Sequence, residues 1–162
     1  MTTTVIDLMR HGEPEGGQMF RGSKDDPLSP VGWQQMEAAV HGHDHWDAIV
    51  SSPMTRCRLF AEQLAQRRRI PLHIEDDLRE IGFGDWEGLT SRQVQERYGD
   101  HLSRFWQDPI NSNPPGGEAI TDFYQRVTLG FDRWQDKLAS QRILVVCHGG
   151  VIRMVLANVL GI

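Results

Sequence analysis

The segment Arg142–Cys147 does most to limit what this chain can become. Ile143-Leu144-Val145-Val146 is a continuous apolar run, closed by His148-Gly149-Gly150. A β-rich run without polar alternation fits a strand covered on both faces, as in a parallel sheet flanked by helices. Val5–Met9, Asp47–Ser51 and Ile70–Ile74 read as three further strands. Helical patterns lie between them. Ser29-Pro30 starts one, with serine suited to the cap and proline to the first helical position, and Trp33, Met36, Ala39 and Val40 follow on one side. Pro53 opens another, with Leu59, Phe60, Leu64 and Ala65 at helical spacing, ending near Arg69. Ser91–Tyr98 and Leu102–Trp106 read as short helices, Glu118–Leu138 as a long amphipathic one and Gly150–Leu160 as a closing one. Arg21–Asp26, Leu78–Gly88 and Asn111–Gly117 read as loops. The alternation predicts an α/β fold of three layers, α/β/α, around a mostly parallel central sheet.

Bulk properties narrow the function. The 162 residues suit one domain with a real core, and no linker or repeat divides them. A net charge of -5 argues against non-specific nucleic-acid binding, which needs a basic face to displace counterions. No apolar run is long enough to span a bilayer, and the chain opens directly into a strand pattern without a leader-like stretch. Cys57 and Cys147 lie far apart, in neither a disulfide framework nor a zinc-ligand spacing. They read as buried small hydrophobes in a reducing compartment, so the cytoplasm is the expected location.

Ligands of open α/β sheets bind beyond the carboxyl ends of the strands. Three such ends carry unusual polar groups: Arg10-His11-Gly12, Ser51-Ser52-Pro53-Met54-Thr55-Arg56, and His148-Gly149-Gly150. Parallel strands would bring two histidines and two arginines to one edge. Each guanidinium offers a planar fork of donors matched to phosphate. A neutral imidazole among them can attack phosphorus. Gly149-Gly150 opens a helix, whose free N–H groups and dipole favour an anion. One such histidine or arginine is ordinarily a cap or a solvated side chain. Four of them, spread over the ends of three apolar strands that carry glycine or proline, point to an anion site. His41, His43 and His45 read as a helix end running into a strand, because no further ligand cluster supports a metal. For Trp86, Phe105, Trp106 and Tyr124, core packing is the stronger reading and a pocket wall the alternative.

Arg10-His11-Gly12 resembles the RHG signature of the histidine phosphatase superfamily, which includes the cofactor-dependent phosphoglycerate mutases. The likeness continues in order through Arg21-Gly22, Asp26-Pro27-Leu28-Ser29 with Gly32, Ser51-Ser52-Pro53 with Arg56, and Leu78-Arg79-Glu80 with Phe83-Gly84-Asp85-Trp86-Glu87-Gly88. It closes with Pro115-Gly116-Gly117-Glu118 and Val146-Cys147-His148-Gly149-Gly150. The resemblance implies a phosphoglycerate mutase-like fold over residues 1–162 and a phosphatase of small-molecule phosphate monoesters. It implies His11 as the nucleophile that becomes phosphohistidine, and Glu80 as the acid that protonates the leaving oxygen and later activates water. Arg10, Arg56 and His148 would hold the phosphoryl oxygens, with Arg21 and Gly149 as further substrate contacts. No metal and no cofactor is implied, since arginines supply the positive charge. Glu87 reads as structural, Ser51 and Ser52 as braces, and Glu118 as a helix cap that orients Arg10 or Arg56.

Within the family the chain looks most like the compact α-ribazole phosphatases, which implies α-ribazole 5'-phosphate as substrate. A phosphoglycerate mutase is the alternative enzyme, although mutases carry insertions that enclose the substrate. A phosphohistidine phosphatase is a third, set against by the Phe83–Gly88 stretch. A non-catalytic phosphate-binding module is the alternative of another class, and it has no use for Glu80. The expected partner is a small phosphorylated metabolite, not nucleic acid or a membrane; a homodimer is left open. Two departures stand out. Members often carry asparagine shortly after the signature, where this chain has Glu15-Gly16-Gly17-Gln18. The chain also stops at Ile162, where members continue through another strand and helix, so the expectation is an interrupted chain or a sheet lacking an edge.

Overall fold

A computed structural model describes residues 3–162. Four parallel strands form one sheet in the order β1-β4-β2-β3: β1 is Val5–Arg10, β2 Ala48–Ser51, β3 Leu72–Ile74 and β4 Arg142–Cys147. β4 pairs with β1 (Val5 opposite Arg142 through Arg10 opposite Cys147) and with β2 (Ala48 opposite Ile143 through Ser51 opposite Val146). It is covered on both faces, and this explains its unbroken apolar run: residues 143–147 are all buried.

Side chains of β2 and β4 alternate between two cores. Ala48, Val50, Ile143, Val145 and Cys147 face helices α5 (Ile120–Lys137) and α6 (Gly149–Leu160), meeting Phe123, Val127, Phe131, Val151 and Val155. Ile49, Leu144 and Val146 face α1 (Pro30–Val40) and α2 (Thr55–Arg68), meeting Met36, Val40, Cys57, Phe60 and Leu64. These are the three expected layers. A smaller core of Phe20, Trp86, Val94 and Phe105 lies under α3 (Ser91–Tyr98) and α4 (His101–Gln107).

Several expected boundaries shift. α1 begins as read, with the Ser29 hydroxyl accepting from Gly32 N–H at 3.0 Å. α2 starts at Thr55 rather than Pro53; its cap is supplied from a distant loop, as Asp25 accepts from Thr55 N–H and hydroxyl, both at 2.7 Å. It closes on Arg69, whose backbone is left-handed (φ 55°). That turn and Pro71 delay β3 to Leu72. α5 starts at Ile120, because the Glu118 carboxylate is engaged elsewhere. Short 3-10 turns at Asp76–Leu78 and Gly84–Trp86 shape the loop that carries Glu80.

Candidate active site

His11 follows β1, and its backbone N–H donates to the Cys147 carbonyl at 3.0 Å, so the sheet itself fixes where it emerges. Its Nδ1 lies 2.7 Å from the Gly12 carbonyl oxygen. A carbonyl only accepts, so Nδ1 carries the proton and Nε2 keeps a free lone pair. Burial lowers the His11 pKa to about 4; Arg56, Arg10 and Arg21 push the same way, against the hydrogen bond to Gly12. The ring is therefore neutral near pH 7. The turn behind it needs two glycines. A Cβ on Gly12 would stand 2.3 Å from Gly32 O, and one on Gly32 would stand 2.1 Å from Glu13 O. That close approach locks the turn onto the start of α1.

His148 caps α6 and is fully buried, its ring centroid 5.2 Å from that of His11. Its Nε2 lies 2.7 Å from the Ser52 hydroxyl, which also accepts from Met54 N–H at 3.2 Å. Of the two acceptors within reach of the Ser52 hydroxyl, His148 Nε2 and the weakly accepting Cys57 sulfur, the imidazole nitrogen is the stronger, so the proton is donated to Nε2. The imidazole proton then sits on Nδ1, a buried atom with no partner. Burial, then Arg56 and His11, hold the His148 pKa well below the ordinary value. The second histidine is thus a neutral donor, adjacent to His11.

Arg56 is completely buried. Its Nη1 donates to Lys24 O at 2.8 Å and its Nη2 to Gly22 O at 3.0 Å, while Nε has no partner. Its fork thus braces the 21–24 loop, and Nε together with the second Nη1 hydrogen remains for an anion. Arg10 is exposed and lies against Gly149, and its guanidinium has no hydrogen bond or ion pair among the described residues. Arg21 pairs with Asp26 at 2.8 Å and donates to Glu15 O and Gly17 O; the departure Glu15-Gly16-Gly17 is the turn that presents those carbonyls.

Glu80 accepts from Ile81 N–H (3.0 Å) and from Gly150 N–H (3.2 Å). Burial raises its pKa, opposed by these bonds and by Arg56 and Arg10. A Cβ on Gly150 would lie 2.3 Å from Glu80 Oε1, so the second glycine of the pair makes room for this carboxyl. This corrects one expectation: the Gly150 N–H serves Glu80 rather than an incoming anion. The loop is held from behind by Arg126, which donates to the carbonyls of Asp77, Arg79 and Glu80 at 2.8–3.0 Å. Glu118 grips Arg126 at 2.7 Å and touches neither Arg10 nor Arg56, a second correction.

These groups meet at a cavity of about 980 Å³, whose wall includes Arg10, His11, Glu13, Arg21, Glu80 and Trp106. Arg56 and His148 lie behind that wall. A neutral imidazole with a free Nε2 lone pair, a carboxyl whose pKa is raised and three arginines are parts that phosphoryl transfer can use.

Residues 6–162 match the Histidine phosphatase superfamily (branch 1). The chain belongs to that superfamily. A bifunctional protein of Mycobacterium tuberculosis is 36% identical over 160 residues, covering 96% of this chain and 44% of the relative, so the chain spans under half of that protein. The adenosylcobalamin/alpha-ribazole phosphatase of Escherichia coli is 30% identical over 159 residues, covering 95% of this chain and 78% of the relative. The crystal structure of the alpha-ribazole phosphatase from Shigella flexneri superposes with a TM-score of 0.84 at 28% identity, covering 97% of this chain and 80% of that one. The phosphoglycerate mutase-like fold expected from the motifs is therefore the fold observed.

Set against the histidine phosphatase motifs, the structure gathers His11, Glu80, Arg10, Arg56 and His148 at one end of the sheet, with Arg21 on the cavity wall and Gly149 beneath Arg10. Glu87 is structural: it accepts from the N–H groups of Gly22, Ser23 and Phe83 at 2.7–3.1 Å. Ser51 bonds its neighbour's carbonyl, as a brace would. Trp86 is core, Tyr124 reaches Asn158, and Trp106 is left 62% exposed at the cavity. Among the described residues no cluster of three or more His, Cys, Asp or Glu gathers, and His43 instead packs on Trp46. No helix among them is long and apolar enough to cross a membrane. Two residues went unread for what they do: Ser52, seen only as a brace, and Arg126, eight positions from its partner and so off the helical i,i+4 spacing.

Proposed function

We propose that this chain hydrolyses a small-molecule phosphate monoester through a phosphohistidine intermediate. The observation that carries the reading is the Nδ1–H bond of His11 to Gly12 O, which leaves Nε2 as a neutral nucleophile in the cavity that holds Glu80. Nε2 attacks phosphorus, the P–O ester bond breaks, and protonated Glu80 gives its proton to the leaving oxygen. Water then attacks the P–N bond, its proton passes to Glu80, and inorganic phosphate leaves with His11 restored. Arg10, Arg56 Nε and His148 Nδ1–H stabilise the charge spread over the phosphoryl oxygens.

The names of the Escherichia coli and Shigella relatives make α-ribazole 5'-phosphate the first substrate to test. We place the reaction in the cytoplasm, consistent with two free cysteines, Cys147 having a thiol pKa that burial pushes up to about 12. The test is a rapid acid-free quench during turnover. Wild-type protein should carry acid-labile phosphate on His11, and His11→Ala should lose both the label and turnover. Substantial hydrolysis by His11→Ala would overturn the reading.

A further inference from the structure

A second cavity, of about 370 Å³, borders the first and shares Glu80 and Trp106 with it. Phe83, Phe105, Trp106, Ile120, Phe123 and Met154 form its walls, and Glu80 and Arg153 are its only charged side chains. Phe105 and Phe123 are fixed in the cores, so part of the wall exists before anything binds. Trp106 differs: its indole packs at a tilt of 56° against Phe105 (centroids 5.1 Å apart), yet remains 62% exposed.

On the hydrolase reading above, Glu80 decides which part of a substrate lies here. Displacement in line places the leaving oxygen on the side of phosphorus away from His11. The acid must reach that oxygen within hydrogen-bonding distance. The carbon skeleton on that oxygen therefore begins beside the Glu80 carboxyl, where the two cavities meet. The first cavity continues between polar groups, among them Gln18, Gln35, Thr90 and Arg92. The second continues between rings.

We infer that the second cavity seats the leaving group and selects an aromatic or similarly planar apolar one. A ring lying there removes its own surface and that of Trp106 from water, and aromatic walls add favourable ring contacts. A short polar or anionic leaving group gains neither.

The test compares 2-phenylethyl phosphate with propyl phosphate, whose alkoxides are of similar basicity, so the acid is equally needed by both. The wild-type kcat/KM should favour the phenyl ester by about tenfold or more. Trp106→Ser, a change at an exposed position, should bring that ratio below about threefold. An unchanged ratio in Trp106→Ser, or a wild-type ratio near one, would overturn the inference. Calorimetric binding of the same two esters to His11→Ala needs no turnover. A phenyl preference there supports the seat even if wild-type protein hydrolyses neither ester, a result that would sink only the hydrolase reading. Equal affinities would overturn the seat whatever the turnover.

Discussion

Ser52 bears no charge and is wholly buried, yet its hydroxyl decides which nitrogen of His148 holds the proton. Ser52→Ala leaves Nε2 with the Cys57 thiol alone, 3.7 Å away, and lets the other tautomer form. We expect single-turnover phosphorylation of His11 to fall by roughly tenfold, since losing the good partner of a buried polar group costs about 1–3 kcal/mol. Nitrogen NMR of the His148 ring should show the Nδ1–H form alone in wild-type protein and a mixture in the variant; an unmixed ring would refute the assignment. Arg56→Ala should cost on the order of a hundredfold in kcat/KM. Because Arg56 also braces the carbonyls of the 21–24 loop, the variant should lose stability in urea as well, which simple loss of a surface contact would not cause. His11, Arg10, Arg56 and His148 were legible because they lie at the ends of apolar strands that carry glycine or proline. Ser52 and Arg126 were not, because their roles depend on partners far away in the chain.

At the scale of elements, the Glu80 loop and the first turn of α6 form one device. Glu80→Gln should slow His11 phosphorylation much more with an alkyl ester than with p-nitrophenyl phosphate, whose leaving phenolate hardly needs a proton. General acid help is worth about a hundred- to ten-thousandfold, so the gap should be plain in single turnovers. Gly150→Ala should reproduce part of that pattern while Glu80 itself is intact, because the added methyl would occupy the carboxyl's place. Equal losses on both esters would mean that the loop has merely shifted. Helix and strand periodicity made these elements readable, but not their ends. The start of α2 depends on Asp25, and the start of α5 on a carboxylate committed to Arg126. Neither signal is local.

Across the whole molecule, two neutral histidines, His148 buried and His11 half-buried, make stability depend on pH. An unfolded histidine titrates near 6.5, whereas His11 titrates at about 4 and His148 is also lowered. As pH falls through that window the unfolded chain binds protons that the native chain refuses, so stability declines. Glu80, raised in the folded state, works in the opposite sense and offsets part of the loss. Urea unfolding at pH 7.5 and 5 should show the decline, and His11→Asn should reduce it by on the order of 1–2 kcal/mol. An identical decline in the variant would show that His11 is not the group responsible. The three layers were legible throughout because β4 reads as buried on both faces. The strand order β1-β4-β2-β3 was not, since no residue pattern states which strands are neighbours.

That order has a consequence for how the protein is born. Among the described residues β1 pairs only with β4, the last of the four strands in sequence order. At synthesis rates of about 5–20 residues per second, β1 waits on the order of ten seconds for its neighbour. During that wait Asp7, a charge in the middle of β1, is the kind of residue that discourages premature pairing with another nascent chain. The His11 imidazole leaves the ribosome well before His148 and cannot pack against it until β4 has followed.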